Sequence, residues 1–452
     1  MGVSGIMTSN SINDHSINRK PEIVIVGGSL AGLFAGVALK THGYNTTLLE
    51  RTPLSMFHNQ GAGLRTTRDL IDFFRRYDRT GKPITVPCSK RPYINRKGDI
   101  FHQDPIRENM ASWAHCYYLM RANYDHTSSP HVPRSDLPEE RPTDGKVTYR
   151  HSCTVTHIIE EGSKVRVYYK RKRNDQFEDT ESILADLVIG ADGASSKIRQ
   201  ILEPSIVRTY TGYLAFRGTV PEAEVSEAAL AVFREQMCFY HGPSIQYVSY
   251  PIVGENGNTE PGNRLFNFVW YANFAEGTAE LDKIMTDKHG RKRHVTIPPG
   301  MMSQDARTLM KHKADTTLPP QMAELVHKTK APFVQCITDV ISPKNLYMND
   351  KVVLIGDALV GLRPHVSQGT NLAARTATAL VDWLDGTISR KQFVTQIMSR
   401  ARLMQARSMR LGHSSQFEKL PVEQYIADRN AALAKGMDEV YPAWAFEGID
   451  DI

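Results

Sequence analysis

Three glycine-bearing segments of this 452-residue chain stand where backbone could approach a phosphate or a flat ring. The first is Gly27-Gly28-Ser29-Leu30-Ala31-Gly32. It follows Glu22-Ile23-Val24-Ile25-Val26, a β-branched run suited to a buried parallel strand. It opens a stretch with apolar residues at Leu30, Leu33, Phe34, Val37 and Ala38, a helical period that Gly43 ends. A turn of this kind lets backbone reach a pyrophosphate, and the free N–H groups of the helix end attract its charge. Ser29 takes the middle-glycine place of the G-x-G-x-x-G fingerprint; it is small, and its hydroxyl can itself donate to phosphate. A second strand, 46–49, leads to Glu50, 18 residues beyond Gly32, where a carboxylate can accept from ribose hydroxyls. The second segment, from Gly190-Ala191-Asp192-Gly193 to Arg199, follows the buried run 187–189 and opens a helix. The third is Gly356-Asp357-Ala358, followed by Arg363-Pro364-His365-Val366-Ser367-Gln368-Gly369-Thr370-Asn371. An Asp at a strand's carboxyl end can accept from a ligand hydroxyl, and a glycine-bearing helix start can face an anionic ring edge.

The elements that must position these segments are legible as blocks. Residues 1–20 are polar and read as a disordered lead-in. The β-α-β pattern opens a nucleotide-binding unit over 21–204, with an exposed Pro- and Ser-rich loop at 126–146 and an antiparallel meander at 147–158 and 164–170. Tyr, Phe, Val and Trp dominate 213–220, 239–252 and 265–271, which predicts a sheet-rich second unit over 205–325. The chain then returns to the first unit over 326–390, through the buried run 352–355 and a helix at 369–384, and ends in a helical tail, 391–452.

Bulk properties exclude several classes. The net charge of +6 is dispersed, and its two dense runs, 170–173 and 291–294, read as turns or solvated edges, not as a nucleic-acid face. Five widely spaced cysteines without a CxxC argue for reduced thiols and a cytoplasmic location, with no zinc site and no disulfide framework. No apolar run is long enough to span a membrane, and the lead-in lacks the apolar stretch of a secretory signal.

Three motifs in this order resemble those of the group A FAD-dependent aromatic hydroxylases, the p-hydroxybenzoate hydroxylase class. Within it the chain is most similar to the 2,6-dihydroxypyridine 3-hydroxylase branch. That likeness rests on GGSLAGL, on GYLAFRGTV (212–220), on NFVWYAN (267–273) and on Arg363-Pro364-His365. The resemblance implies an α/β fold: a Rossmann-like FAD-binding domain of the glutathione reductase type, a β-rich substrate domain and a helical C-terminal tail. It implies noncovalent FAD held by Gly27, Gly28, Ser29, Leu30, Ala31, Gly32, Glu50, Arg51, Arg121, Val155, Asp192, Gly356, Asp357, Pro364, Gln368, Gly369, Thr370 and Asn371. Arg121 matches the arginine of the helix WAHCYYLMRANY (113–124). One departure is Ser367, where the family usually carries a glycine; crowding or tilting of the flavin ring is its expected effect.

The implied chemistry is hydroxylation of a small electron-rich aromatic or N-heteroaromatic ring. NADH or NADPH docks transiently and reduces FAD, O2 adds at flavin C4a, and the hydroperoxide passes OH to the ring; no metal takes part. The catalytic candidates are His241, Tyr213 and His365, with Arg217, Tyr240, Tyr250 and Trp270 as substrate contacts. His241 lies near the end of a strand expected to roof the flavin, and an imidazole with a pKa of about 6.5 can take up the ring's proton. Two alternatives stand beside this reading: a Baeyer–Villiger-type or epoxidising monooxygenase, and a non-catalytic FAD-binding module. A homodimer is the expected assembly.

Overall fold

Ile23–Val26 has every residue buried and lies inside a six-stranded sheet. The computed structural model describes residues 20–53, 63–173, 176–418, 421–434 and 445. The expected lead-in, apart from Lys20, and the tail beyond 434, apart from Ala445, lie outside these. The sheet runs in the order Leu346–Tyr347, Val352–Leu354, Leu187–Gly190, Ile23–Val26, Thr46–Leu49, Val147–Arg150. All its pairs are parallel except that of Leu346–Tyr347 with Val352–Leu354. Short β-branched runs form these strands because both faces are covered, so no position needs a polar residue. Helix Leu30–Thr41 packs against helices Trp113–Asp125 and Gly369–Leu384. The expected meander is present but starts later: Ser152 takes φ 60°, the chain turns there, and Cys153–Glu161, Lys164–Arg173 and Gln176–Ala185 form a separate antiparallel sheet. Val147–Arg150 instead extends the parallel sheet.

The second sheet has ten strands. Its main path is Thr296–Ile297, Phe333–Ile341, Thr209–Pro221, Leu265–Asn273, Ile245–Ile252, Cys238–Gly242, Val86–Ile94, Ile100–Ser112, Gly63–Thr66. Three of these strands precede residue 113, and Phe333–Ile341 belongs to the return segment, so a boundary at 204/205 or 325/326 cuts through one sheet. The hairpin 86–112 escapes a sequence reading because Ser, Lys, Arg, Gln, Asp and Glu fill its outward positions while Val86, Cys88 and Met110 point in.

Strand parity divides this sheet into two faces. Leu214, Phe216, Tyr247, Phe268 and Trp270 point to a core that also holds residues of helices Gln304–Thr317 and Pro320–Lys328. Tyr213, Ala215, Val248, Tyr250, Val269 and Tyr271 point the other way. On that second face lie the return segment and the long helix Arg390–Phe417, followed by helix Val422–Ala434.

Candidate active site

The Gly27 turn is built by close approaches that no side chain would permit. Gly27 has φ +106°, and a Cβ on it would lie 2.4 Å from the Ala191 carbonyl oxygen, so the first and second motifs touch here. A Cβ on Gly32 would lie 1.9 Å from the Gly27 carbonyl oxygen, seating the helix on its own turn. Ser29 caps helix Leu30–Thr41 without a side-chain hydrogen bond, which leaves the first-turn N–H groups open to an anion. Glu50, 6% exposed, accepts from Gly28 N–H (2.7 Å) through Oε2 and from Thr52 N–H (2.7 Å) through Oε1. Each oxygen keeps a lone pair for a ligand hydroxyl. Arg51 beside it is exposed.

The third motif completes this crevice. Gly356, at φ +55°, sits 2.7 Å (as Cβ) from the Ala31 methyl, which brings the strand end against the first helix. The Asp357 carboxylate makes no hydrogen bond among the described residues, although its backbone carbonyl accepts from Arg199 (3.4 Å). It is exposed, yet surrounding protein raises its pKa, with Arg208 and Arg199 opposing the rise. A carboxylate on the floor of an open crevice has both properties. Helix Gly369–Leu384 also begins without a side-chain cap, and its Gly369 lies 3.5 Å (as Cβ) from Asp357 Oδ1. Two uncapped helix starts, one half-satisfied Glu and one unpaired Asp fit a dinucleotide whose phosphates, ribose and ring edge need these donors and acceptors.

Facing this crevice, the second sheet presents aromatic residues with unused polar atoms. Tyr271 is 2% exposed and its ring stacks on His365 at 4.1 Å between centroids. Tyr250 is equally enclosed, and neither hydroxyl has a partner among the described residues. Burial pushes the Tyr250 hydroxyl up to about 12 and the Tyr271 hydroxyl higher, with Arg217 pulling both down. Arg217 leaves its buried Nε without a partner.

A family model for an FAD-binding-like domain matches residues 210–339. The 2,6-dihydroxypyridine 3-monooxygenase of Paenarthrobacter nicotinovorans is 27% identical over 80% of this chain and 82% of its own. The 3-amino-4-hydroxybenzoate 2-monooxygenase PtmB3 of Streptomyces platensis is 22% identical over 96% and 98%. The structure of the 2,6-dihydroxypyridine-3-hydroxylase from Arthrobacter nicotinovorans overlays with a TM-score of 0.73 at 24% identity, covering 88% of this chain and 93% of that one. The chain is similar to FAD-dependent aromatic monooxygenases. FAD is the cofactor, and NAD(P)H and O2 are the cosubstrates. Among the described residues no helix is long and apolar enough to cross a membrane, and no acidic, Cys or His cluster is arranged to hold a metal.

Within this monooxygenase several expected contacts serve the scaffold. Asp192 accepts from Ser196 Oγ (2.5 Å) and from the N–H groups of Lys197 (2.6 Å) and Ile198 (3.2 Å), so its carboxylate starts the helix Lys197–Leu202. Arg121 is 4% exposed; it pairs with Asp125, donates to Tyr117 Oη (2.8 Å) and lies 4.0 Å from the Tyr149 ring centroid. Its donors are spent inside the protein, and Tyr149, whose hydroxyl donates to Gly28 O (2.9 Å), is the residue that touches the turn. Asn371 accepts from Thr67 N–H and Oγ (both 2.8 Å) and donates to Ser367 O (2.8 Å) and Arg65 O (3.0 Å), tying the return loop to strand Gly63–Thr66. Val155 is 7% exposed on the separate meander, and Gln368 accepts from Arg400 (3.3 Å). Pro364 and Thr370 are half-buried in the return loop. Ser367 adopts φ 54°, the left-handed conformation that a glycine supplies at no strain, which accounts for the family's preference there.

The substrate candidates divide by strand parity. Trp270 and Tyr240 are corrected: both point into the core on the far face and do not front the crevice. Tyr250 and Tyr213 are on the near face, as are Arg217 and His241 by alternation. Tyr213, with no exposure, directs its hydroxyl to His365 Nε2 (3.0 Å) under Gly412 of the long helix. His365 uses its other nitrogen on Gln246 Oε1 (2.8 Å). Burial lowers His365 to about 3 and His241 to about 4, well below the 6.5 assumed for an open shuttle. Gln246, Tyr271 and Tyr425 went unnoticed in the sequence. Period-2 counting from Tyr213 across the paired strands reaches Gln246 and Tyr271, whereas Tyr425 carries no local signal.

Proposed function

We propose that this monooxygenase hydroxylates a small electron-rich aromatic or N-heteroaromatic ring bound between the return loop at 364–369 and the near face of the ten-stranded sheet. The observation that carries this is the set of polar atoms without protein partners on that face: the buried Nε of Arg217 and the hydroxyls of Tyr250 and Tyr271. Polar groups on an enclosed face are nearly always satisfied, so partnerless ones opposite a cofactor cradle mark a ligand's place. The named relatives act on dihydroxypyridine and aminohydroxybenzoate, rings rich in electrons.

Bound FAD, reduced by NAD(P)H, supplies an electrophilic oxygen. The chain's own contribution is position and electrostatics. First-turn N–H groups of helix Leu30–Thr41 would take the pyrophosphate, Glu50 the adenosine ribose, and Asp357 the ribityl chain. The start of helix Gly369–Leu384 would face the ring edge that gains charge on reduction. Tyr271 stacked on His365 forms one wall. Arg217 would favour an ionised ring hydroxyl by its charge. Excluding water from this face protects the oxygen-transfer step. The binding of FAD is noncovalent in this reading: acid precipitation is expected to release all the yellow flavin. The five buried free thiols accord with a cytoplasmic enzyme.

The test is a panel of hydroxypyridines, phenols and indoles screened for stimulated NAD(P)H consumption, with the product's structure determined. One ring that raises the rate and gains a hydroxyl on carbon supports the proposal. An oxygen inserted into a ring or across a double bond, or equal slow oxidation with every ligand, refutes it.

A further inference from the structure

The near face carries a continuous chain of side chains: Arg363, Tyr213, His365, Gln246, His241. Tyr213 Oη lies 3.0 Å from His365 Nε2, His365 Nδ1 lies 2.8 Å from Gln246 Oε1, and Gln246 Nε2 lies 3.4 Å from His241 Nε2. Such a chain can run in either direction unless one member is fixed. The Gln246 amide fixes it: its oxygen can only accept and faces His365, and its nitrogen can only donate and faces His241. At the far end the Arg363 guanidinium, held by Asp339, lies beside the Tyr213 hydroxyl, where both pack against Gly412. The Tyr213 O–H points on to His365.

Each later link is then determined. His365 Nε2 must be the bare nitrogen, so its proton sits on Nδ1 and is donated to Gln246 Oε1. The amide nitrogen of Gln246 is left facing His241, against which Tyr425 of helix Val422–Ala434 packs. The Tyr425 ring lies tilted at 42° against His241, 4.5 Å between centroids, and Arg429 of the same helix ties it to Tyr93 (2.6 Å) and Asp104. His241 Nε2 is bare and accepts. The imidazole is neutral, so its one proton is on Nδ1, the nitrogen with no partner among the described residues.

We propose that His241 meets the substrate as a hydrogen-bond donor through Nδ1–H, holding a ring oxygen that binds already ionised, and that two positioning residues support it: Gln246, which sets this polarity, and Tyr425, which holds the ring. This deepens the proposed function and rests on it. It reverses the role expected for His241: the ring's proton is left in solvent before binding and is not taken up by the imidazole. The substrate class narrows to rings whose hydroxyl is acidic enough to be largely ionised near neutral pH, as multiply hydroxylated N-heterocycles are and simple phenols are not; ionisation is what makes such a ring electron-rich. The C-terminal helix becomes part of the site, since without Tyr425 the His241 ring loses the aromatic contact that holds its orientation.

The experiment has two arms. In the first, holoenzyme labelled with 15N-histidine is studied by NMR without substrate, and the spectra of His241→Asn and His365→Asn assign the two rings. Both are expected to carry their proton on Nδ1. Gln246→Leu is expected to turn His241 into a mixture of tautomers with unchanged FAD content. A wild-type His241 protonated on Nε2 overturns the proposal, as does a Gln246→Leu spectrum in which His241 is unchanged. In the second arm, 4-nitrophenol is titrated into holoenzyme at its solution pKa, and the phenolate band is read against the flavin. His241→Asn, which keeps a donor near Nδ1, is expected to bind the phenolate within a few-fold of wild type. His241→Asp, which accepts only, is expected to weaken it about 10–100-fold. The reverse order overturns the proposal and restores a proton acceptor. Failure of the ring panel to give any hydroxylated product would instead fell the proposed function, while the tautomers of the first arm still stand or fall alone.

Discussion

Replacing Gly412 by alanine tests the link between the long helix and the site. In the interior of a helix such as Arg390–Phe417, a glycine normally costs about 1 kcal/mol relative to alanine. On propensity alone Gly412→Ala should therefore stabilise the protein. The geometry argues the reverse. A Cβ here would lie 2.4 Å from Tyr213 Oη and 2.9 Å from Arg363 Cδ. Neither neighbour can yield freely: Tyr213 is fully buried, and Arg363 is held by Asp339 through Nε (2.8 Å) and Nη2. Overpacking of this kind costs about 1–3 kcal/mol, so the net change is a loss of about 0–2 kcal/mol once the propensity gain is subtracted. The larger effect is chemical. Moving Tyr213 Oη by even 1 Å breaks its 3.0 Å bond to His365 and frees the imidazole from its stack on Tyr271. Chemical denaturation gives the stability term, and the ratio of hydroxylated product to hydrogen peroxide gives the coupling. We expect equal or lower stability, full FAD content and coupling reduced several-fold. A variant about 1 kcal/mol more stable than wild type with unchanged coupling would refute the close packing of helix, tyrosine and arginine.

Three further outcomes follow from the site. Asp357→Ala removes an acceptor that the protein itself does not use, so it should leave the apoprotein folded but empty of flavin; full occupancy after gel filtration would remove Asp357 from the cradle. Glu50→Ala should weaken FAD by about 1.5–3 kcal/mol for the lost charge-assisted bond, and by more if the released Gly28 N–H loosens the turn, as read by flavin fluorescence titration. His115 is fully buried, with its nitrogens 3.1 Å from His131 Nδ1 and 3.0 Å from Pro83 O, and burial lowers its pKa to about 4. Its folded pKa lies below the unfolded value of about 6.5, so the unfolded state binds more protons between the two, and stability present above about pH 6.5 should fall as pH drops toward 4; the slope should flatten in His115→Phe, and an identical pH–stability profile for the two proteins argues against a buried neutral histidine.

The cofactor half was legible because its signals are local. Strand, glycine turn and helix follow one another within twenty residues, and steric demands at Gly27, Gly32 and Gly356 leave few residue choices. The ring side was only partly legible. On strand Leu265–Asn273 both faces are buried, so Trp270 and Tyr271 alternate as adjacent aromatic residues, and the phase is marked only by Asn267 and Asn273, which share the face of Tyr271. The expectation for Trp270 rests on the opposite phase. Gln246 lies among aromatic neighbours and draws notice only when its partners on both sides are known. Tyr425 reaches the site from a helix more than fifty residues beyond the third motif, through tertiary packing alone.

The interleaving of the ten-stranded sheet constrains how the chain can be made. Its strands at 63–66, 86–94 and 100–112 leave the ribosome long before their neighbour Cys238–Gly242, which pairs with the hairpin through Phe239 and Tyr93. Until then the hairpin has an open edge and an uncovered apolar face carrying Val86, Cys88 and Met110. Long-range pairing of this kind is slow to form and exposes edges to association. The Lys, Arg, Asp and Glu on the hairpin's outward positions accordingly act during synthesis as well as after it, as charges that keep nascent edges apart. A fragment cut at 205–325 would lose both the hairpin and Phe333–Ile341, leaving Thr209–Pro221 and Cys238–Gly242 as raw edges. The two halves of this enzyme are therefore one folding unit, and its evolution by exchange of a ring-binding half would have required exchanging parts of three separate stretches of gene at once.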